Sequence, residues 1–334
     1  MPSTVPIFVA RVGTAISVAR RKYTCLRILL WFLLSTIAFL CVRNIQTPLR
    51  QHATGRRLKP SLLTFAKVGD YGRLGNQIFQ VASTIGIAES NGLEWQFPER
   101  IYQTSVGKLF TLKGELSHTL VASFPRHNEI TETFYDVQLL SDDGKAMSLH
   151  GYFQWPQYFE HSMNTLRSEL RVNSKLIHEV YTHFPELRRH RSVAVHVRRG
   201  DYVKLDHIYN LLPSSYYLAA LSSMAFDHVY IVTDDKKWCL QMLVPKIQSK
   251  NVTVSDLNDE LLDFTLLYLS DNIVISSSSF SWWAAFLKEL SGVSHNRSVV
   301  APKSRYNPSG SHAYLNSDKY YPEHWRLISS FEET

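Results

Sequence analysis

Three features of the 334-residue sequence predict an α/β protein built on parallel, doubly wound sheet. The C-terminal half alternates apolar, β-branched strands with helical segments in βαβα order, which calls for parallel strands with crossover helices. Near residue 62 a strand, a glycine-rich turn and a helix follow one another, the parts of a phosphate-binding βα unit. Between them, Arg191-Ser-Val-Ala-Val-His-Val-Arg-Arg-Gly-Asp201 reads as a buried strand that delivers two guanidinium groups to a turn. Ligands in open α/β sheets sit outside the carboxyl ends of the strands, so Arg198 and Arg199 arrive where a phosphate-bearing substrate belongs. Adjacent residues of a strand project to opposite faces, which predicts one arginine on the ligand and one in a scaffold ion pair.

The N-terminus comes before any of this. Residues 1–69 hold no Asp or Glu but 11 of the 36 Lys and Arg, leaving 25 basic against 29 acidic residues in the body. The net charge of +7 is therefore a terminal tail rather than a patch on the fold, and a nucleic-acid-binding body is not indicated. From Leu26 to Val42 the residues are apolar, Ser or Thr apart from Arg27, and Arg43 follows. As a helix this stretch would reach roughly 25 Å at about 1.5 Å per residue, enough for a thin bilayer with snorkelling ends. It lacks a small-x-small cleavage site and predicts a retained signal anchor, while its continuous apolar core argues against an amphipathic presequence. Flanking basic residues balance, so a cytoplasmic N-terminus rests on the short side staying there while the long folded part is translocated. The expected organisation is a tail over 1–25, an anchor over 26–43, a Pro/Gly-interrupted stem over 44–61, and lobes over 62–190 and 191–334.

In the body, residues 62–68 predict a strand, Gly69-Asp-Tyr-Gly72-Arg-Leu-Gly75 a turn, 76–90 a helix stopped by Asn91-Gly92, and 93–97 a second strand. The glycine spacing differs from Gly-x-Gly-x-x-Gly, which argues against a nicotinamide-dinucleotide site. Residues 100–150 show little periodicity. Gly151-Tyr-Phe-Gln-Trp-Pro-Gln-Tyr-Phe159 interleaves aromatic rings with amides, which suits the apolar face and hydroxyl rim of a sugar and equally suits core packing. Residues 160–190 predict one or two charged helices. Strands then follow at 191–197, 228–233, 252–254 and 272–276, with helices at 214–224, 238–244, 259–270 and 282–290. Ser276-Ser-Ser-Ser-Phe-Ser281, between a strand end and a helix start, offers backbone N–H groups, hydroxyls and a positive dipole end to a phosphate.

Cys239 is the only cysteine in the body, so an intradomain disulfide and a cysteine-based zinc site are excluded. Asn251-Val-Thr253 and Asn296-Arg-Ser298 are glycosylation sequons usable only in a lumenal body. No Asp-x-Asp occurs, nor a His/Cys cluster at metal-ligand spacing, so no metal is expected. Arg198, the serine turn and helix dipoles would then meet the leaving-group charge of a nucleoside diphosphate donor.

Gly72-Arg-Leu-Gly-Asn-Gln77, His196-Val-Arg-Arg-Gly-Asp-Tyr202 and Ser278-Ser-Phe-Ser-Trp-Trp-Ala-Ala285 together resemble the α-1,2-fucosyltransferase family, with Gly151-Tyr-Phe-Gln154 and Thr233-Asp-Asp235 similar to its secondary blocks. The resemblance spans residues 62–330. It implies a GT-B-like fold of two Rossmann-like lobes, GDP-fucose as donor, a terminal β-galactoside as acceptor, inversion, no metal, and a type II Golgi enzyme anchored in the membrane. It further implies that His196 and Asp263 contact guanine and that Arg198 meets the β-phosphate. Arg199 and Asp201 look like a supporting ion pair, and Ser278, Ser279 and Phe280 like the phosphate turn. Asn76 and Arg73 sit where the glycine loop approaches the sugar and diphosphate. Asp234 or Asp235 is expected near the nucleotide or as a helix cap. Tyr152 and Trp155 are the acceptor-side candidates. Inversion needs a proton acceptor, for which Asp201, Asp70 or water is available. Fucose transfer to another glycan position or a protein hydroxyl, and a non-catalytic glycan-binding relative, are the competing functions.

Overall fold

The computed structural model describes residues 60–141, 144–249, 251–292 and 297–329. The expected tail, anchor at Leu26 to Val42 and most of the stem, together with Asn296, lie outside the described residues; among those described, no helix is long and apolar enough to cross a membrane.

Strands β1 (Leu62–Thr64), β2 (Glu94–Trp95), β3 (Arg126–Asn128) and β4 (Ala146–His150) form an all-parallel sheet in the order β2-β1-β4-β3. Strands β5 (Ser192–Val197), β6 (His228–Thr233), β7 (Val252–Val254), β8 (Asn272–Val274), β9 (Val299–Pro302) and β10 (Arg326–Ile328) form a second, in the order β10-β9-β8-β5-β6-β7, again all parallel. All six residues of β5 are buried, Ser192 and His196 included, as its three valines and central place require.

Strand order reverses once in each sheet, between β1 and β4 and between β8 and β5. Reversal leaves a crevice at the carboxyl ends of the two diverging strands, because their crossovers lie on opposite faces. Those ends lead into the glycine turn after β1, the aromatic block after β4, Arg198 after β5 and the serine turn after β8.

Helix α1 (Leu74–Asn91) has fifteen buried residues and ends on Gly92 in the left-handed region at φ 61°. Helices α2 (Ser105–Phe110), α3 (His118–Ala122), α4 (Met163–Glu169) and α5 (Ser174–His183) complete the N-terminal part. Helices α6 (Ser214–Ser222), α7 (Lys236–Trp238), α8 (Glu260–Leu269) and α9 (Ser279–Leu290) join the strands of the second sheet. The body folds as one compact unit, with an apolar cluster that runs from Leu63 and Phe65 to Trp282 and Trp283. Phe79 of α1 lies 5.1 and 5.0 Å from the Trp282 and Trp283 rings of α9, so the Trp-rich helix is the seam between the sheets.

Several boundaries differ from those predicted. The first strand ends at Thr64, since a turn closes from Phe65 O to the Val68 N–H. The segment expected as one helix over 238–244 is α, then π, then 3-10, where Pro245 supplies no N–H to a continuing helix. Helix α9 begins at Ser279 rather than 282, because Ser278 is its N-cap and Ser279 and Ser281 enter the first turn.

Gly75 sits against α9 so closely that a Cβ there would lie 2.5 Å from both Phe280 N and Ser279 C. Backbone cannot rotate out of the way as a side-chain tip can. Gly75→Ala is therefore expected to destabilise the body by about 1–3 kcal/mol, read as a lower urea midpoint at unchanged m-value.

Candidate active site

The crevices at the two strand reversals open into one cleft of ≈ 580 Å³. Of the sequence candidates, Arg73, Asn76, Tyr152, Trp155, His196, Arg198, Asp201, Asp234, Asp263, Ser278, Ser279 and Phe280 all line it; Arg199 does not.

Arg198 leaves the carboxyl end of β5 with its side chain 13% exposed, and its fork is held from two sides. Nη2 donates to Asp201 Oδ1 at 2.5 Å and Nη1 pairs with Asp234 Oδ2 at 2.8 Å. Each terminal nitrogen carries two N–H groups, so one on each remains for an anion in the cleft. Asp234 also accepts from the backbone N–H of Arg199 (2.8 Å) and Gly200 (3.1 Å), fixing the turn that aims Arg198. Asp235 is the helix cap instead, accepting from Trp238 N.

The expected Arg199–Asp201 pair is not formed. The chain reverses at Gly200, so Asp201 meets Arg198 three residues before it, whereas Arg199, projecting to the opposite face, pairs with Asp235 at 3.3 Å and lies 4.2 Å over the Trp238 ring. Of the two carboxylates considered for proton removal, Asp70 is bonded to Arg100 and does not line the cleft.

Each serine after β8 has its own task. Ser276 Oγ lies 2.9 Å from His196 Nδ1, Ser277 donates to Asn210 O, Ser278 caps α9, and Ser279 donates to Asn76 Oδ1 at 2.9 Å. Asn76 Oδ1 also accepts from Gln154 Nε2 at 2.6 Å, and Gln154 Oε1 accepts from Arg305. This chain ties the start of α1, the aromatic block, the start of α9 and the segment after β9 into one wall. Gly72, at φ 72°, allows the turn to bend over Asn76, where a Cβ would strike the amide nitrogen at 2.0 Å. The helix ends bordering the cleft direct N–H groups and positive dipole ends to it, and neither α1 nor α9 has an acid in its first turn.

His196 is 5% exposed, with Nδ1 between Ser281 Oγ (2.8 Å) and Ser276 Oγ. Burial, aided by the Arg198 charge, pushes it down to about 3, so the ring is neutral at physiological pH. Asp263 moves the other way: burial raises its carboxyl above the usual range despite the hydrogen bond from Ser255 at 2.5 Å. Phe280 packs between the His196 ring and Phe264, the neighbour of Asp263 on α8, at 5.3 Å from each. A neutral imidazole, an aromatic face and a carboxylate acceptor suit a flat heterocycle with adjacent N–H donors.

On the opposite side, Tyr152 is 47% exposed and Trp155 only 8%, its Nε1 donating to Glu132 O. Phe153, Tyr158 and Phe159, like Trp155, belong to the buried core, so four of the five rings in the block serve packing and only Tyr152 is open. Glu129, pushed up by burial, accepts from the Tyr152 and Phe153 N–H groups and holds the block at Phe153, whose φ is 49°. Arg305, Tyr202, Tyr209 and Tyr306 also line the cleft and were not singled out in the sequence. Asn251, the sequon asparagine within the described residues, is exposed just before the edge strand β7.

The profile of Glycosyl transferase family 11 matches residues 36–325. A galactoside 2-alpha-L-fucosyltransferase of Bos taurus is 26% identical over 251 residues, 70% of this chain and 67% of that protein. An alpha-1,2-colitosyltransferase of Escherichia coli is 25% identical over 299 residues, 77% of this chain and 96% of that one. A galactoside alpha-(1,2)-fucosyltransferase of Pongo pygmaeus is 25% identical over 254 residues, 70% of this chain and 73% of its own. With that match covering the cleft, the first sheet and strands β5 to β9 of the second, the chain belongs to glycosyl transferase family 11.

Proposed function

We propose that this glycosyltransferase moves L-fucose from GDP-fucose to the 2-OH of a terminal β-galactoside, with inversion and without a metal, on a GT-B-like pair of Rossmann-like halves. The observation that carries this reading is Arg198, held at the end of β5 across the strand reversal from the start of α9. In it, Asp263 accepts from the guanine N–H groups, while His196 and Phe280 bound the base. Arg198, Arg73 and the α9 N-terminus meet the diphosphate as the bond from the fucose anomeric carbon to the β-phosphate oxygen breaks. The galactose O2 forms the new bond from the opposite face of the sugar. Asp201, with Oδ1 on Arg198, takes the O2 proton. Metal independence is supported by the lack of Asp-x-Asp in the sequence. Tyr152 and Trp155 face the acceptor. The anchor at Leu26 to Val42 and the sequons at Asn251 and Asn296 fit a type II Golgi enzyme with its body in the lumen.

The donor is tested by calorimetry in EDTA with GDP-fucose, GDP-colitose and a UDP-sugar. Preference for GDP-fucose supports the reading; tighter GDP-colitose binding would place the chain with the Escherichia coli relative in donor choice. Asp263 sets the pH dependence. Its raised carboxyl must be ionised to accept two N–H groups, so GDP-fucose affinity is expected to hold at neutral pH and fall as acid protonates it. His196, uncharged down to about 3, adds no second step. Asp263→Asn should weaken binding by about 1.5–3 kcal/mol and flatten that acid limb.

A further inference from the structure

A row of aromatic rings leads out of the cleft from Arg198. The Arg198 guanidinium lies 5.2 Å over Tyr202, which stacks on Tyr209 at 4.0 Å and 6°. Beyond it Tyr209, Tyr306, His312 and Tyr314 follow with centroid steps of 5.9, 5.8 and 6.3 Å and planes within 20°, 24° and 21° of their neighbours. Steps this long between nearly parallel rings are lateral offsets, so the rings overlap only in part, with Tyr202 covering one face of Tyr209 and the Arg305 guanidinium 5.1 Å over Tyr306. At the far end Tyr314 is 68% exposed, and its hydroxyl donates to Glu132 Oε2 at 2.8 Å. Glu132 in turn holds Trp155 through its carbonyl.

Core packing does not account for this row, because Tyr202, Tyr209, Tyr306 and His312 are only half-buried and Tyr314 at its end is exposed. Nor is it a loose loop: Asn316 clamps Tyr306 from both sides, and the Asn307 N–H donates to Ile208 O. Rigid, open aromatic faces with a carboxylate at the rim match the apolar C–H faces and hydroxyls of successive pyranoses. The row departs from the arginine assigned to the leaving group and reaches the aromatic block through Tyr314, Glu132 and Trp155.

We propose that Tyr209, Tyr306, His312 and Tyr314 are a stacking platform for the acceptor chain, holding the one or two pyranose units on the reducing side of the galactoside that receives the sugar. The proposal rests on the acceptor reading above and narrows it: the substrate is an oligosaccharide end rather than a free galactoside.

The test compares methyl β-galactoside with a β-galactosyl trisaccharide as acceptors for the full chain, using GDP-fucose. The kcat/KM ratio of trisaccharide to monosaccharide is expected to be about tenfold or more, and Tyr314→Ala to bring it towards one, mainly through the trisaccharide KM. Tyr314 is exposed, so its loss leaves the core untouched. In parallel, saturation-transfer NMR on the trisaccharide with GDP should show contact along the inner sugars, lost in Tyr314→Ala. A ratio near one, or a ratio unchanged in Tyr314→Ala, overturns the platform, as does contact confined to the terminal galactose. Absence of fucose transfer to any acceptor would instead defeat the donor or acceptor assignment, and the NMR contact pattern then decides the platform by itself.

Discussion

Arg198→Ala is expected to lower kcat/KM for sugar transfer about 10²- to 10³-fold, the size of losing one preorganised donor to developing charge. The guanidinium is largely buried, and Asp201 and Asp234 hold both of its terminal nitrogens, so it would meet the departing diphosphate of the proposed donor without reorganising. Water cannot replace that fork at equal strength, because water would have to reorient as charge develops. Arg198→Lys is expected to recover little, since a single ammonium cannot satisfy two acids and a phosphate in one plane. Steady-state kinetics on the variants, with melting temperature as the fold control, measures this. Unchanged turnover in Arg198→Ala would remove the donor-site assignment.

Asp234→Ala is expected to have the next largest effect, in stability and in rate together. Its carboxylate accepts three hydrogen bonds, from Arg198 Nη1, Arg199 N and Gly200 N. The side chain is 25% exposed, so water partly compensates, and the expected cost is about 2–3 kcal/mol. Arg198 then loses one of its two holds, and kcat/KM should fall about 10²-fold. Asp234→Asn keeps an acceptor for the backbone N–H groups but turns an amide toward the arginine, and should be milder in stability than in rate. Because Asp234 acts through Arg198, the double variant Arg198→Ala/Asp234→Ala is expected to be little slower than Arg198→Ala alone. Fully additive losses would show that the two act separately.

What the sequence made legible is what regular structure positions. The strand Ser192–Val197 announces itself by its valines, and a strand end followed by Gly200 told where Arg198 would emerge. The serine turn was legible for the same reason, lying between a buried strand and an apolar helix, although its cap at Ser278 and the separate bonds of Ser276, Ser277 and Ser279 were not. Side-chain pairing was misread where the chain reverses: Arg199–Asp201 looks natural in sequence, but the bend at Gly200 before the 3-10 turn brings Asp201 to Arg198, three residues earlier. Strands β3 and β4 were missed because they are short and separated by seventeen residues without helix or strand periodicity. Arg305, Tyr209 and Tyr306 had no signal at all. They come from irregular segments around 201–213 and 303–316, joined by an isolated antiparallel bridge between Tyr209 and Tyr306 and by the Asn210 N–H to Arg305 O bond. Pairings between loops distant in sequence carry no local pattern.

The central claim is the transfer of fucose to O2 of galactose, and the most direct measurement is NMR of the product formed from GDP-fucose and a β-galactoside in EDTA. A new α-anomeric fucose signal with a through-bond or through-space link to galactose C2 is expected. A fucose linked to any other position, a β-anomer, or product that forms only after manganese is restored would contradict that claim.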